Sequence, residues 1–259
     1  MQLLIIDALN LIRRLYAVQE QRHQTDNAAL AATSVALTHA GKRLLHQFKP
    51  SHVVAVFDGA PIGFRHHLYP DYKAGRKPMP AALAHYLPQL QQDLWQLGID
   101  ALLSDTDEAD DLIATLARTL SRHGKHSTIV STDQGFCQLL NPHIQIWDHF
   151  KQGYFDAQRV QQQYGLKVTQ LVDYWALTGV SGSQIKGVPG IGPKRAQALL
   201  QRWETLDRLL ASPGERKEEN TVIIHKDQAL LARQLVKLVD DIELGFNLQD
   251  IRYHSSTSG

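Results

Sequence analysis

Cysteine is nearly absent from this chain: one residue, Cys137, in 259. A single thiol excludes both a disulfide framework and a cysteine-built zinc site. Long apolar runs are missing as well. No uncharged stretch approaches the roughly 20 residues that cross a bilayer. The opening MQLLIIDALNLIRR has no basic residues before its apolar run, and Asp7 interrupts that run, so it reads as a buried strand and not as a secretion signal. A strong net charge is lacking too, at +1. What remains is 43% hydrophobic and 20% charged, enough for a sizeable core and too apolar for wholesale disorder. A reduced, cytoplasmic, monomeric protein with no membrane segment is expected.

The charges that are present are segregated. Asp100, Asp105, Asp107, Glu108, Asp110 and Asp111 fall together with no Lys or Arg among them. Lys186, Lys194, Arg195 and Arg202 form a stretch without acids, and Arg65, Lys73, Arg76 and Lys77 are opposed by Asp71 alone. Such blocks fit an acidic site flanked by phosphate-binding surfaces.

Short β-rich runs alternate with helical stretches through the first two-thirds. Strands are expected at 3–6, 52–57, 101–103, 128–130 and 144–147, and helices at 28–48, 81–97 and 109–120. Fully apolar strands separated by helices imply an α/β fold whose parallel sheet is covered on both faces. Asp7, Asp58, the acidic cluster and Asp133 each follow a strand. The C-terminal ends of parallel strands converge on one crevice, so these carboxylates are expected to meet there. One such aspartate more often caps a turn or a helix, but four in succession favour a site. After Gln158 the pattern is helical throughout, at 171–177, 194–200 and 228–239, with 213–220 an exposed connection and 255–259 a disordered tail. The division is therefore a core at 1–157, with a long irregular basic segment near 62–80, and a helical region at 158–254.

Three motifs carry chemistry. In Glu108-Ala109-Asp110-Asp111 the acids crowd the first turn of a helix. The dipole explains one or two of them, but their mutual repulsion calls for a cation. Oxygen-only donors select Mg²⁺ or Mn²⁺. The run Gly187-Val188-Pro189-Gly190-Ile191-Gly192-Pro193-Lys194-Arg195 has the form of a helix–hairpin–helix turn. Its glycines admit a phosphate, helix N–H groups hold the anion, and Lys194 and Arg195 add charge. Arg65 and Tyr69-Pro70-Asp71-Tyr72-Lys73-Ala74-Gly75-Arg76 interleave cations with tyrosines, as suits single-stranded nucleic acid or an ordinary surface loop.

With Asp7-Ala8-Leu9-Asn10, Val56-Phe57-Asp58 and Ser131-Thr132-Asp133 added to these, the chain resembles over nearly its whole length the 5′ nucleases. That family includes the flap endonucleases and the 5′-nuclease domain of bacterial DNA polymerase I. The chain looks most like the short, free-standing exonuclease IX-type branch. The resemblance implies a PIN-like nuclease core and 5′→3′ hydrolysis of branched or flapped DNA that leaves a 5′-phosphate. It implies Mg²⁺ ligands at Asp7, Asp58, Glu108, Asp110, Asp111 and Asp133. It also implies K⁺ on the carbonyls of Leu177, Thr178, Lys186, Val188 and Ile191. Asp7, Asp58, Lys73, Arg76, Asp110 and Asp111 are the implied catalytic residues. DNA contacts fall to Arg65, Tyr72, Lys73, Arg76, Gly190, Ile191, Gly192, Pro193, Lys194 and Arg195. Three family carboxylates are replaced, by Gly135, Val180 and Ser183, so the second metal group is incomplete. A degenerate, non-cutting junction-binding protein is the alternative reading.

Overall fold

The structure is a computed structural model and describes residues 1–59, 62–245 and 247–254. The expected disordered tail, 255–259, lies outside the described residues. The chain opens with β1 (Gln2–Asp7), α1 (Ala8–Arg22), α2 (Asp26–Phe48) and β2 (His52–Val56). Then come α3 (Phe64–Leu68), α4 (Ala81–Trp95), β3 (Asp100–Leu102), α5 (Ala109–Arg122) and β4 (His126–Val130). The strands β5 (Ile144–Asp148) and β6 (Gly153–Phe155) complete a six-stranded sheet of order β3-β2-β1-β4-β5-β6, parallel except for β6.

The central strands are buried on both faces because β1 is apolar from Leu3 to Ile6 and β2 from Val53 to Val56. Along β1, Leu3 and Ile5 face the layer built on α5, and Leu4 and Ile6 face the layer of α1, α2 and α4. Full burial of those four side chains contributes roughly 1.5–3 kcal/mol each. The strand order reverses between β1 and β4, which sets the crevice at the ends of those two strands.

The C-terminal region holds α6 (Ala157–Tyr164), α7 (Leu171–Thr178), a two-stranded pair β7 (Gly179–Val180) and β8 (Ile185–Lys186), then α8 (Pro193–Trp203), α9 (Leu206–Leu210), α10 (Lys217–Ile224) and α11 (Lys226–Val236). It has its own apolar core, including Leu177, Ile185, Leu200 and Leu235.

Several expectations need correction. The region after Gln158 is not wholly helical, since β7 and β8 pair there. The connection expected at 213–220 becomes helical at Lys217, because Glu219 turns inward to meet Trp203 and Arg202 and is fully buried. The irregular segment at 62–80 contains α3. The strand β6 and helix α1 were not anticipated. Finally, the stretch after α11 returns to the α/β core: Leu238, Ile242, Leu244 and Leu248 pack on the α5 layer, and the Ile251 carbonyl accepts from Val53 N–H at 3.0 Å.

Candidate active site

Asp7 ends β1 and caps α1, its Oδ1 accepting from Asn10 N–H at 3.3 Å. Its Oδ2 accepts from the Ser131 hydroxyl at 2.7 Å, so β4 is latched to β1 where the two strands diverge. Asn10 Oδ1 in turn accepts from Thr132 N–H and hydroxyl, at 3.1 and 3.0 Å. Ser131 and Asn10 thus orient the first carboxylate, a role not assigned to them from sequence. Their only signal was their place inside the DALN and STD motifs. Asp58 follows β2 and accepts from Ala109 N–H at 2.9 Å, capping α5 from a strand distant in sequence. Asp133 caps its own turn through Gly135 N–H at 2.7 Å. Each of these aspartates therefore does serve as a cap, with further lone pairs left over.

Their proximity shows in their proton affinities. Burial pushes the Asp7 carboxyl up to about 7, with Asp133 and Asp58 adding repulsion against the bonds from Ser131 and Asn10. Burial, then the charges of Asp133 and Asp7, holds Asp110 well above the usual carboxylate range, with Lys73 opposing. Among the described residues no three acidic, histidine or cysteine side chains close into a ready-made metal cage. The acids instead ring the crevice and repel one another.

Glu108 is different. It is the N-cap residue of α5, and its Oε2 accepts from Lys73 Nζ at 2.9 Å and from the Tyr72 hydroxyl at 3.1 Å. Burial alone would raise its pKa, but Lys73 and Arg65 hold it below the ordinary value. Burial would likewise lower the Lys73 ammonium, and Asp110 and Glu108 keep it above its usual range. Glu108 Oε1 is buried with no hydrogen-bond partner. An orphaned carboxylate oxygen in an acidic crevice is the donor a hard cation would satisfy.

Three expected assignments change. Asp111, read as a metal ligand and catalytic acid, faces away from the crevice. The Arg65 guanidinium grips it by a bidentate pair at 2.6 and 2.9 Å, and Val239 N–H donates to its Oδ1 at 2.9 Å. Helical periodicity explains this: Asp110 and Asp111 are about 100° apart around α5, and only one can face the strand ends. Arg65, read as a DNA contact, is 2% exposed and also donates to the Leu235 and Lys237 carbonyls at 2.8 Å each. Tyr72 is buried too, its ring packed with His66 and its hydroxyl on Glu108, and so is not an open stacking platform.

Between the strand ends and the C-terminal helices runs a cleft of about 550 Å³. Lys73, Arg76, Glu108, Asp110 and Asp133 line it, opposite Thr178 to Ser183 and Pro193. Gly135, Val180 and Ser183, where the resembled family carries carboxylates, are all on its wall. Beyond it, the segment from β8 to α8 turns sharply. Gly187 passes so near the end of α7 that an added Cβ would stand 2.4 Å from the Leu177 carbonyl oxygen, and Gly190 has φ +75°. The Leu177 carbonyl accepts from Val188 N–H at 2.8 Å, and the Val188 carbonyl from Ile191 N–H at 3.0 Å. Lys186 pairs with Gly179, Thr178 ends α7, and the Ile191 side chain is buried. Gly192 is the N-cap of α8 and Pro193 its first residue. Lys194 is exposed there, whereas Arg195 folds back onto the Gly190 carbonyl at 2.6 Å.

Comparison with known proteins agrees with this architecture. Residues 2–165 match the family model of the 5′-3′ exonuclease N-terminal resolvase-like domain, and residues 166–258 that of the 5′-3′ exonuclease C-terminal SAM fold. The chain is 55% identical over 254 residues to flap endonuclease Xni of Aeromonas hydrophila, covering 97% of this chain and 95% of the relative. It is 46% identical to flap endonuclease Xni of Vibrio cholerae, over 100% of this chain and 99% of that one. Among solved structures it is similar in fold to the T5 5′-exonuclease described with bound zinc, with TM-score 0.79 and 18% identity over 92% and 90% of the two chains. With both of its domains matched along nearly the full length, the chain belongs to the 5′-3′ exonuclease family.

Proposed function

We infer that the protein is a structure-specific 5′ flap endonuclease, hydrolysing phosphodiester bonds in branched or flapped DNA with a divalent metal. The observation that carries the reading is the pairing of four converging aspartates with the buried, unpartnered Glu108 Oε1, beneath Lys73 and Arg76. The full-length likeness to curated flap endonucleases supports it. Asp7, Asp58, Glu108, Asp110 and Asp133 would hold Mg²⁺ or Mn²⁺, with Asp111 excluded by its pairing to Arg65. When bound, such an ion supplies positive charge at the scissile phosphate and acidifies water.

The chain's own groups do the rest. Lys73, held charged beside Glu108, and Arg76 offer cations to a phosphate entering the cleft and offset charge as the transition state develops. Ser131 and Asn10 hold Asp7 in one rotamer. With Gly135, Val180 and Ser183 supplying no carboxylate, the acidic donors are confined to the strand-end side of the cleft. The helix–hairpin–helix reading of 186–195 assigns it the DNA duplex, with K⁺ on carbonyls of Leu177, Thr178, Lys186, Val188 and Ile191, Lys194 as a free cation, and Gly190, Ile191, Gly192 and Pro193 against backbone phosphate.

Incubation with a labelled 5′-flap oligonucleotide tests the reading. Cleavage at the flap base with Mg²⁺ and none with EDTA is expected. Tight flap binding without cleavage in Mg²⁺ or Mn²⁺ would favour the non-cutting junction binder instead.

A further inference from the structure

The β7–β8 hairpin holds two of the replaced carboxylate positions, Val180 at the end of β7 and Ser183 in its turn, and the turn contacts the other wall of the cleft. Ser181–Ser183 form one turn of 3₁₀-helix, closed by Gln184 in the left-handed region at φ +57°. Across from it Lys73 has the same φ, +57°. Left-handed non-glycine residues are uncommon and persist where their surroundings hold them. Here the two segments touch. Lys73 N–H donates to the Ser183 carbonyl at 2.9 Å. Gly75 packs so closely on Gln184 that an added Cβ would lie 2.8 Å from its Nε2 and 3.5 Å from its Cδ. From Lys73 the constraint passes onward, because Nζ reaches Glu108 Oε2 at 2.9 Å and the adjacent Tyr72 hydroxyl meets the same oxygen at 3.1 Å.

We propose that the Ser181–Gln184 turn is the dock that sets Lys73 over the carboxylates, the Ser183 carbonyl holding Lys73 and the left-handed backbone at Gln184 aiming that carbonyl for phosphodiester cleavage. The proposal rests on the nuclease reading above. The turn has no acid of its own, so its influence on rate runs through the Lys73 backbone. If that backbone left the left-handed region, the Cα–Cβ bond would swing and carry Nζ off Glu108. A misplacement of about 1 Å in such a group can cost on the order of a hundredfold in rate.

The test compares single-turnover cleavage of a labelled 5′ flap with Mg²⁺, the Kd for the same flap, and Tm. Gln184→Gly keeps φ +57° available without steric cost and leaves the Ser183 carbonyl aimed at Lys73. Gln184→Pro forbids that φ and removes the N–H that donates to the Ser181 carbonyl at 3.0 Å. Gln184→Val keeps the N–H but carries a β-branched side chain that resists φ +57°. Gln184→Gly should cleave like the parent, because the dock uses the backbone there and not the side chain. Gln184→Pro and Gln184→Val should each be slower by about tenfold or more at saturating DNA, with Kd within about threefold. If Gln184→Pro does not fold, Gln184→Val against Gln184→Gly carries the test. Parental rate in Gln184→Val, or a Gln184→Gly protein as slow as Gln184→Val, overturns the dock while leaving the nuclease intact. No cleavage by the parent overturns the nuclease reading and the dock with it.

Discussion

Burial raises the Asp7 carboxyl to about 7, and burial with its acidic neighbours also raises Asp110 well above the usual carboxylate range. The folded, metal-free protein therefore binds more protons than the unfolded chain between the ordinary carboxylate value of 3.8 and about 7. Stability contributed by these groups is present below that window and is lost as pH rises through it. A divalent cation reverses the sign, since it binds the ionised form. Calorimetry in EDTA should show Tm falling from pH 5 to pH 8, and the increment from added Mg²⁺ growing over the same interval. An increment that shrinks with pH would remove these carboxylates from the metal site. Asp110→Ala should lower flap cleavage more than about a hundredfold, beyond the range for groups that merely support a ligand. DNA affinity should stay within a few-fold or rise, because repulsion of phosphate is relieved. Equal cleavage by mutant and parent at saturating Mg²⁺ would sink the assignment. At this scale the gathering of Asp7, Asp58, Glu108, Asp110 and Asp133 at one crevice was legible because they follow strands or open a helix. Asp111 was misread because adjacent acids look alike in a sequence, and only the facing of α5 separates them.

Among the elements, α3 is the one whose docking matters most. Arg65 ties it to Asp111 on α5 and to the carbonyls of Leu235 and Lys237 at the end of α11. Arg65→Ala leaves Asp111 as a buried, half-partnered charge and should cost about 3–5 kcal/mol, read by urea unfolding. A loss below about 1 kcal/mol would mean that water replaces the guanidinium. The turn entering α8 offers a second test. Gly190 sits at φ +75°, which valine resists, whereas an added Cβ at Gly192 meets nothing within 4 Å. Gly190→Val should therefore weaken the fold as well as duplex binding, and Gly192→Val duplex binding alone. If potassium occupies this turn, duplex affinity in KCl should exceed that in LiCl at matched ionic strength, and Gly190→Val should abolish the difference. Equal affinities would remove potassium and leave the phosphate-binding turn. The sharp turn itself was legible because its glycines are spaced for backbone geometry. The pair β7–β8 was not, since two-residue strands leave no periodicity to read.

For the whole molecule, the C-terminal stretch after α11 interlocks the two regions. Leu238, Ile242, Leu244 and Leu248 cover the α5 layer, Asp240 meets Arg118 and Arg122, and Ile251 bonds to β2. With Arg65 joining the same parts from the other side, thermal unfolding should be one cooperative transition, with equal calorimetric and van't Hoff enthalpies. Truncation after Val236 should lower Tm and separate the melting of the two regions. Two transitions in the intact chain would show that the interlock is weak.

Local rules determined much of this protein directly from its sequence. Apolar runs in the central strands specify a sheet covered on both faces, alternation with helices makes it parallel, and aspartates after strands gather at one edge, because strand ends in such sheets converge. A glycine pattern with lysine behind it specifies a turn that can meet a phosphate. Tertiary structure decided what depends on partners distant along the chain. It turned Arg65 inward to Asp111, put Tyr72 and Lys73 on Glu108, set the Ser183 carbonyl against Lys73, and folded the stretch after α11 back across the core. A buried charge goes where a counter-charge and free carbonyls already lie, since an unpartnered charge in the interior costs several kcal/mol, and the neighbours that supply them to Arg65 are 46 to 172 residues away.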